Sequence, residues 1–115
     1  MRAYELMVIA DGDLEENNVE ATVRRVQEQI KAKGGEVKKT DRWGKRRFAY
    51  EINKKPDGYY FLIEFLGGEG LAELEHQFRL ADDLVRHKLL RLPDAEAAKR
   101  GLFGEQAAPA APAAS

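Results

Sequence analysis

The chain has 115 residues and a mass of 13.0 kDa, enough for one compact domain with a short tail and too little for two domains of ordinary size. With 43% hydrophobic residues, 34% charged residues and a formal net charge of -1, it is expected to be a soluble globular protein, and any nucleic-acid site must come from local rather than total charge. The absence of cysteine excludes disulfides, thiol catalysis and thiolate metal sites, and leaves only His76 and His87 as imidazoles, so zinc is not expected.

The first predicted element is a strand from Ala3 to Ala10, rich in strand formers and closed by the turn signal Asp11-Gly12-Asp13. Apolar residues on both faces suggest a central strand with something packed on each side. Asp13 and Glu16 are spaced as a capping box, and Val19, Val23, Val26 and Ile30 recur at helical spacing, which predicts an amphipathic first helix. Gly34-Gly35 ends it near Lys33, because glycine takes the left-handed backbone of a helix C-terminus without a Cβ clash.

From Glu36 to Ile52 helical periodicity is absent, and Trp43, Phe48, Tyr50 and Ile52 among polar neighbours predict a long strand, irregular at Gly44. Asn53 to Gly58 is a turn cluster and Tyr59 to Leu66 a strongly apolar third strand, so the two form a hairpin with a basic tip. Leu71, Leu74, Phe78 and Ala81 place a second helix between Gly67-Gly68 and Asp82-Asp83, and Leu84 to Leu92 is a fourth strand ended by Pro93.

This order predicts an α+β domain of the split β-α-β kind, in which right-handed crossovers place two helices on one face of a four-stranded antiparallel sheet and leave the other face uncovered. The domain is expected over residues 1–93, and residues 94–115 are expected as a flexible Ala/Pro-rich tail. Within it Leu102-Phe103 is an isolated apolar pair, either a docking anchor for a partner or part of a frayed terminus. No apolar run approaches the roughly 20 residues that span a bilayer and the amino terminus lacks a signal pattern, so the cytoplasm is the expected location, with no membrane partner.

Charge is unevenly distributed along the chain. Residues 38–55 contain Lys38, Lys39, Arg42, Lys45, Arg46, Arg47, Lys54 and Lys55 against Asp41 and Glu51, a local net charge of +6. With Trp43 alongside, these offer charge-assisted, partly bidentate phosphate contacts, as RNA or another polyanion requires; an edge strand blunted by charge is the alternative. Residues 11–20 carry Asp11, Asp13, Glu15, Glu16 and Glu20 with no base, so an electrically polar molecule is expected.

In the third strand, Tyr59, Phe61, Ile63 and Phe65 alternate with Tyr60, Leu62, Glu64 and Leu66. Glu64 marks its face as the open one, which puts the aromatic row under the helices and leaves Tyr60, Leu62 and Leu66 as a surface for a protein partner. Enzymatic readings lack support: the loop after the first strand carries two carboxylates where an anion cradle needs donors. His76 is expected off the buried stripe and His87 as a surface histidine.

These motifs together resemble the bacterial small-subunit ribosomal protein six family over about residues 1–93. The resemblance rests on Arg2, Tyr4 and Glu5, Gly34-Gly35, the run Trp43-Gly44-Lys45-Arg46-Arg47-Phe48-Ala49-Tyr50, Gly58-Tyr59-Tyr60, and Val85-Arg86. The Trp-Gly-x-Arg to Ala-Tyr run is its most specific element. Phe48 stands where the family more often has leucine, the Asp11-Gly12-Asp13 loop lacks a common proline, and the tail lacks a glutamate run that some members extend by glutamylation.

The resemblance implies a ferredoxin-like fold and a structural, non-catalytic role in the small ribosomal subunit, with no cofactor and no small-molecule substrate. Its implied partners are the central domain of 16S rRNA and ribosomal protein eighteen. The matching motif positions are Arg2, Trp43, Arg46, Tyr50, Gly58, Tyr60 and Arg86, with Arg2 and Arg46 foremost as rRNA contacts, Gly58 setting the hairpin turn and Tyr50 partly in the core. A small-molecule-sensing regulatory module of the same fold is the main rival.

Overall fold

Alternation in the two central strands sets the architecture. The computed structural model describes residues 2–52 and 54–102. In it β1 (Arg2–Asp11) turns Tyr4, Leu6, Val8 and Ala10 to one face, where they meet Phe61, Ile63 and Phe65 of β3 (Lys55–Gly67). The valines and Ile30 of α1 (Glu16–Ala32) and Leu74 and Phe78 of α2 (Leu71–Leu80) close over this layer, completing a core in which Phe61, Phe65 and Phe78 are the largest buried side chains. With β2 (Glu36–Ile52) and β4 (Leu84–Arg91), the sheet is antiparallel in the order β2-β3-β1-β4, the expected ferredoxin-like arrangement with α1 and α2 on one face.

Local details differ from the expectations at several points. The start of α1 is not a capping box: Glu15 is the N-cap without a side-chain bond, and the Asp13 amide donates instead to Asp11 Oδ1 at 3.0 Å, within the preceding loop. Gly58 does not form the hairpin turn. It lies in β3 opposite Asp11 and Arg46, where a Cβ would fall 2.6 Å from Ile9 Cγ2 and 2.8 Å from the Ala10 carbonyl oxygen, so the requirement is close strand packing. The hairpin closes nearer the tip, with Ile52 opposite Lys55 and Lys54 at a φ of 63°. Tyr50 is 78% exposed rather than partly in the core.

His87 is not a surface histidine. Its side chain packs edge-on against Phe78, with Nε2 3.0 Å from Glu75 Oε1, because its position opposite Val8 turns it toward α2.

The face opposite α1 and α2 is not wholly uncovered. Residues 94–99, expected as tail, form α3 (Asp94–Lys99), and Ala97 and Leu102 join Ala3, Leu66 and Leu92 in a second buried cluster. A six-residue helix is too short to persist alone. It forms because it covers Ala3 and Leu66 and brings Arg100 over the sheet carboxylates Glu5 and Glu64. The expected tail is therefore corrected over 94–102: Leu102 is an internal anchor, and Leu66 is buried beneath it rather than offered to a partner. Phe103 and the rest of the expected tail lie outside the described residues, as does Asn53.

Candidate nucleic-acid interface

The basic run is strand, and its irregularities decide which way its side chains point. The β2–β3 register slips between Val37 and Lys39, between Arg42 and Gly44, and between Arg47 and Ile52. At the second slip Gly44 takes a φ of 85°, a backbone that a side chain would strain. Trp43 is thereby turned to the open face, where it stacks on Tyr60 with ring centroids 6.3 Å apart and planes at 9°. At the third slip β2 bows outward, and Phe48 meets Tyr60 edge-on at 6.1 Å. Tyr60 is therefore packed by two aromatic rings, one stacked and one edge-on.

Residues directly opposite one another in an antiparallel ladder share a face. Arg42, Lys45 and Arg47, opposite Phe61, Tyr59 and Asp57, point to the helix side, whereas Lys39 and Arg46, opposite Glu64 and Gly58, point to the open side. The basic segment is thus split between two faces. Arg2 stands apart again: it opposes Gly67, while Arg46 opposes Gly58, so the two lie about 30 Å apart along the sheet at ordinary strand rise. Arg86 is brought close to the aromatic group through the cross-strand row Gly44, Tyr60, Ile9, Arg86.

Several of these cations already have internal partners. Lys38 pairs with Glu36, Lys39 with Asp41, Arg42 with Glu20 of α1, and Lys45 reaches Asp57 while lying 5.7 Å from the Tyr59 ring centroid. Lys55 Nζ lies 3.1 Å from Asp11 Oδ2 and 3.3 Å from Asp13 Oδ2. The Asp13 amide and then Lys55, against burial, hold the Asp11 carboxyl below its ordinary pKa, while the two carboxylates raise that of Lys55. The expectation of an electrically polar molecule is corrected here: the acidic loop and basic tip, distant in sequence, are neighbours in space.

Arg2, Arg46, Arg47, Lys54 and Arg86 have no carboxylate partner among the described residues; Arg46 Nε donates only to the Trp43 carbonyl oxygen, at 3.4 Å. These are the cations most ready to meet phosphate, since no ion pair has to be exchanged. Lys88 belongs with them: it faces Met7 on the open side, and its signal in the sequence was the period-two spacing from Arg86. Of the expected partner surface, Tyr60 and Leu62 remain partly exposed on the open face.

No group of three or more His, Cys, Asp or Glu among the described residues is placed to hold a metal ion, and no helix among them is long and apolar enough to cross a membrane.

A profile of the family described as Ribosomal protein S6 matches residues 3–91. The chain belongs to the ribosomal protein S6 family. It is 45% identical over 92 residues to small ribosomal subunit protein bS6 of Carboxydothermus hydrogenoformans, covering 79% of this chain and 96% of the relative. The bS6 of Salinispora arenicola is 46% identical over 92 residues, with 79% and 96% covered. The crystal structure of 30S ribosomal protein S6 from Thermotoga maritima superposes with a TM-score of 0.78 at 37% identity, over 86% of this chain and 94% of that one. Membership makes this a ribosomal, RNA-binding protein of the small subunit whose role is structural rather than catalytic.

Proposed function

We propose that the protein binds the central domain of 16S rRNA together with ribosomal protein eighteen, as a cytoplasmic structural component that supports small-subunit assembly and translation. The observation that carries this reading is the convergence of unpaired cations with the aromatic group: Arg46 and Arg86 border Trp43, Tyr60 and Phe48, with Arg47 and Lys54 on the same hairpin. Such a surface neutralises phosphate and lays aromatic area against RNA without needing a base-edge code.

Lys39 on the same face, and Arg42 and Lys45 on the helix side of the hairpin together with Lys38 and Lys55, are secondary contacts, since exposed ion pairs are weak and exchange readily for phosphate. Arg2, at the far end of β1, would meet a separate stretch of RNA. Of the partner surface expected from the sequence, Leu62 on the open face is what is left for the protein partner, since Leu66 and Leu102 are buried and Tyr60 belongs to the aromatic group assigned here to RNA.

The test is binding of the purified chain to a central-domain fragment of 16S rRNA, with and without ribosomal protein eighteen, at two salt concentrations. Tight binding that needs the partner and weakens steeply with salt supports the proposal. Binding that ignores both partner and salt overturns it.

A further inference from the structure

The middle of the open face holds a cavity of about 270 Å³. Met7 and Ile9 of β1 line it with Tyr60 and Ile52, and Arg86, His87 and Lys88 of β4 complete its lining. The register explains the arrangement, because Tyr60 and Arg86 flank Ile9 on either side and Lys88 stands opposite Met7. Ile52 reaches the cavity from the end of β2, beyond the bowed segment that also brings Phe48 to Tyr60. The site is thus apolar with one aromatic wall and two cations, and neither cation has a carboxylate partner among the described residues.

We infer that this cavity takes one unstacked nucleotide of single-stranded RNA, its base against Tyr60 and Ile9 and its phosphate on Arg86 and Lys88; the inference rests on the rRNA-binding reading and names the RNA feature that this face selects. Three features favour that occupant. Charge is complementary, since two unpaired cations beside an apolar site fit a ligand that is planar and apolar at one end and anionic at the other. Size is also suited, since the volume is slightly below that of sites for drug-sized ligands and matches a single base better than anything larger. Finally, Tyr60 is packed by Trp43, stacked on it, and by Phe48, edge-on to it, so little side-chain freedom remains to be lost on stacking. A duplex cannot present a base this way, because its bases are stacked inside and the A-form surface offers sugar and phosphate.

Trp43 is the sole tryptophan and stacks on Tyr60, so its fluorescence reports on the site. The test titrates the full chain with a single-stranded RNA hexamer and with a hairpin of matched charge. The hexamer should shift the Trp43 emission and bind about tenfold more tightly than the hairpin. Tyr60→Ala should weaken the hexamer about tenfold, while Tyr60→Phe keeps wild-type affinity, as base–aromatic stacking requires. Arg86→Ala, at an exposed position that the fold does not depend on, should lower the salt slope by about one, and Arg24→Ala on α1 should change nothing.

Equal affinity for hexamer and hairpin, or Tyr60→Ala and Arg86→Ala variants that bind the hexamer as wild type does, overturns the inference. So does a Tyr60→Ala variant that loses ribosomal protein eighteen while keeping the hexamer, which would assign the cavity to the protein partner. If the rRNA fragment binds with ribosomal protein eighteen but the hexamer leaves Trp43 unmoved, the nucleotide site fails and the subunit reading stands; if neither binds, both fail.

Discussion

Glu64 and Arg100, 36 residues apart in the chain, meet at 2.7 Å on the face of the sheet opposite α1 and α2. Glu64 sits directly across from Glu5, and like charges opposite one another on neighbouring strands destabilise a sheet. Arg100 resolves the conflict by donating to both carboxylates, and to Glu96 within α3. The Glu96 carboxylate foremost, then Glu64 and Glu5, raise the pKa of the guanidinium against the opposing effect of burial, so it stays charged throughout the working range.

Arg100→Ala should therefore release α3 and leave Glu64 without its cation. The expected cost is about 1.5–3 kcal/mol, the range for hydrogen bonds to charged groups. Urea unfolding measures it, and hydrogen exchange at the Leu102 amide, which donates to the Ala97 carbonyl oxygen at 3.0 Å, reports the release locally. An unchanged midpoint with the Leu102 amide still protected would contradict this role for Arg100.

A second ion pair makes stability depend on pH. Arg25 Nη1 and Nη2 donate to Asp83 at 2.7 and 2.9 Å, and the Thr22 hydroxyl donates to the same carboxylate at 2.7 Å, tying α1 to the loop before β4. Burial acts to raise the Asp83 carboxyl, but Arg25 and Thr22 outweigh it and hold its pKa below the ordinary 3.8. A carboxyl with a depressed folded-state pKa adds stability that is present above its unfolded value and lost as the pH falls through the folded one. Asp83→Asn should then cost about 1.5 kcal/mol at neutral pH and progressively less as the pH falls below 3.8. Thermal melts from pH 7 to pH 2 test this: a gap that stays constant with pH would remove Asp83 from the acid response.

Gly58→Ala tests close packing. A Cβ there meets Ile9 Cγ2 at 2.6 Å and the Ala10 carbonyl at 2.8 Å, and the second neighbour is backbone that cannot swing aside. Overpacking of this kind costs about 1–3 kcal/mol, with the hairpin closure at Lys54 left as it is. A chemical denaturation midpoint equal to wild type would mean that β1 and β3 part more easily than this geometry implies.

Much of this was legible in the sequence because it depends on local pattern. Val19, Val23, Val26 and Ile30 could only form a helical stripe, and the alternation around Glu64 separated Tyr60 from the helix-side row of partly buried Tyr59 and buried Phe61, Ile63 and Phe65. What stayed hidden depends on distant pairs. The segment Asp94-Ala95-Glu96-Ala97-Ala98-Lys99 has no apolar stripe, and its docking is decided by Arg100 finding Glu64 and by Leu102 finding Ala3 and Leu66. The neutralising contact of Lys55 with Asp11 and Asp13 was equally invisible, since charge counted along a chain says nothing of which loop meets which turn. The division of the basic run between two faces follows from slips in register, and only Gly44 marked one of them.

Arg46 and Arg47 lead to opposite sides of β2 and have no carboxylate partner among the described residues, so reversing both should leave the fold intact while removing phosphate contacts. Arg46→Glu with Arg47→Glu should weaken binding to the central-domain rRNA fragment and lower the dependence of log affinity on log salt by about two. Circular dichroism checks the fold and a filter-binding salt series checks the slope. Wild-type affinity in the folded double variant would clear this surface of any phosphate role.

Reconstitution tests the proposed place in the small subunit most directly: small subunits assembled from 16S rRNA and ribosomal proteins lacking the S6-family member, supplied with this chain and sedimented through a gradient. The chain should travel with the subunit peak at one copy per particle, and omission of ribosomal protein eighteen should remove it. A chain left at the top of the gradient with every other protein incorporated would contradict the assignment to the small subunit.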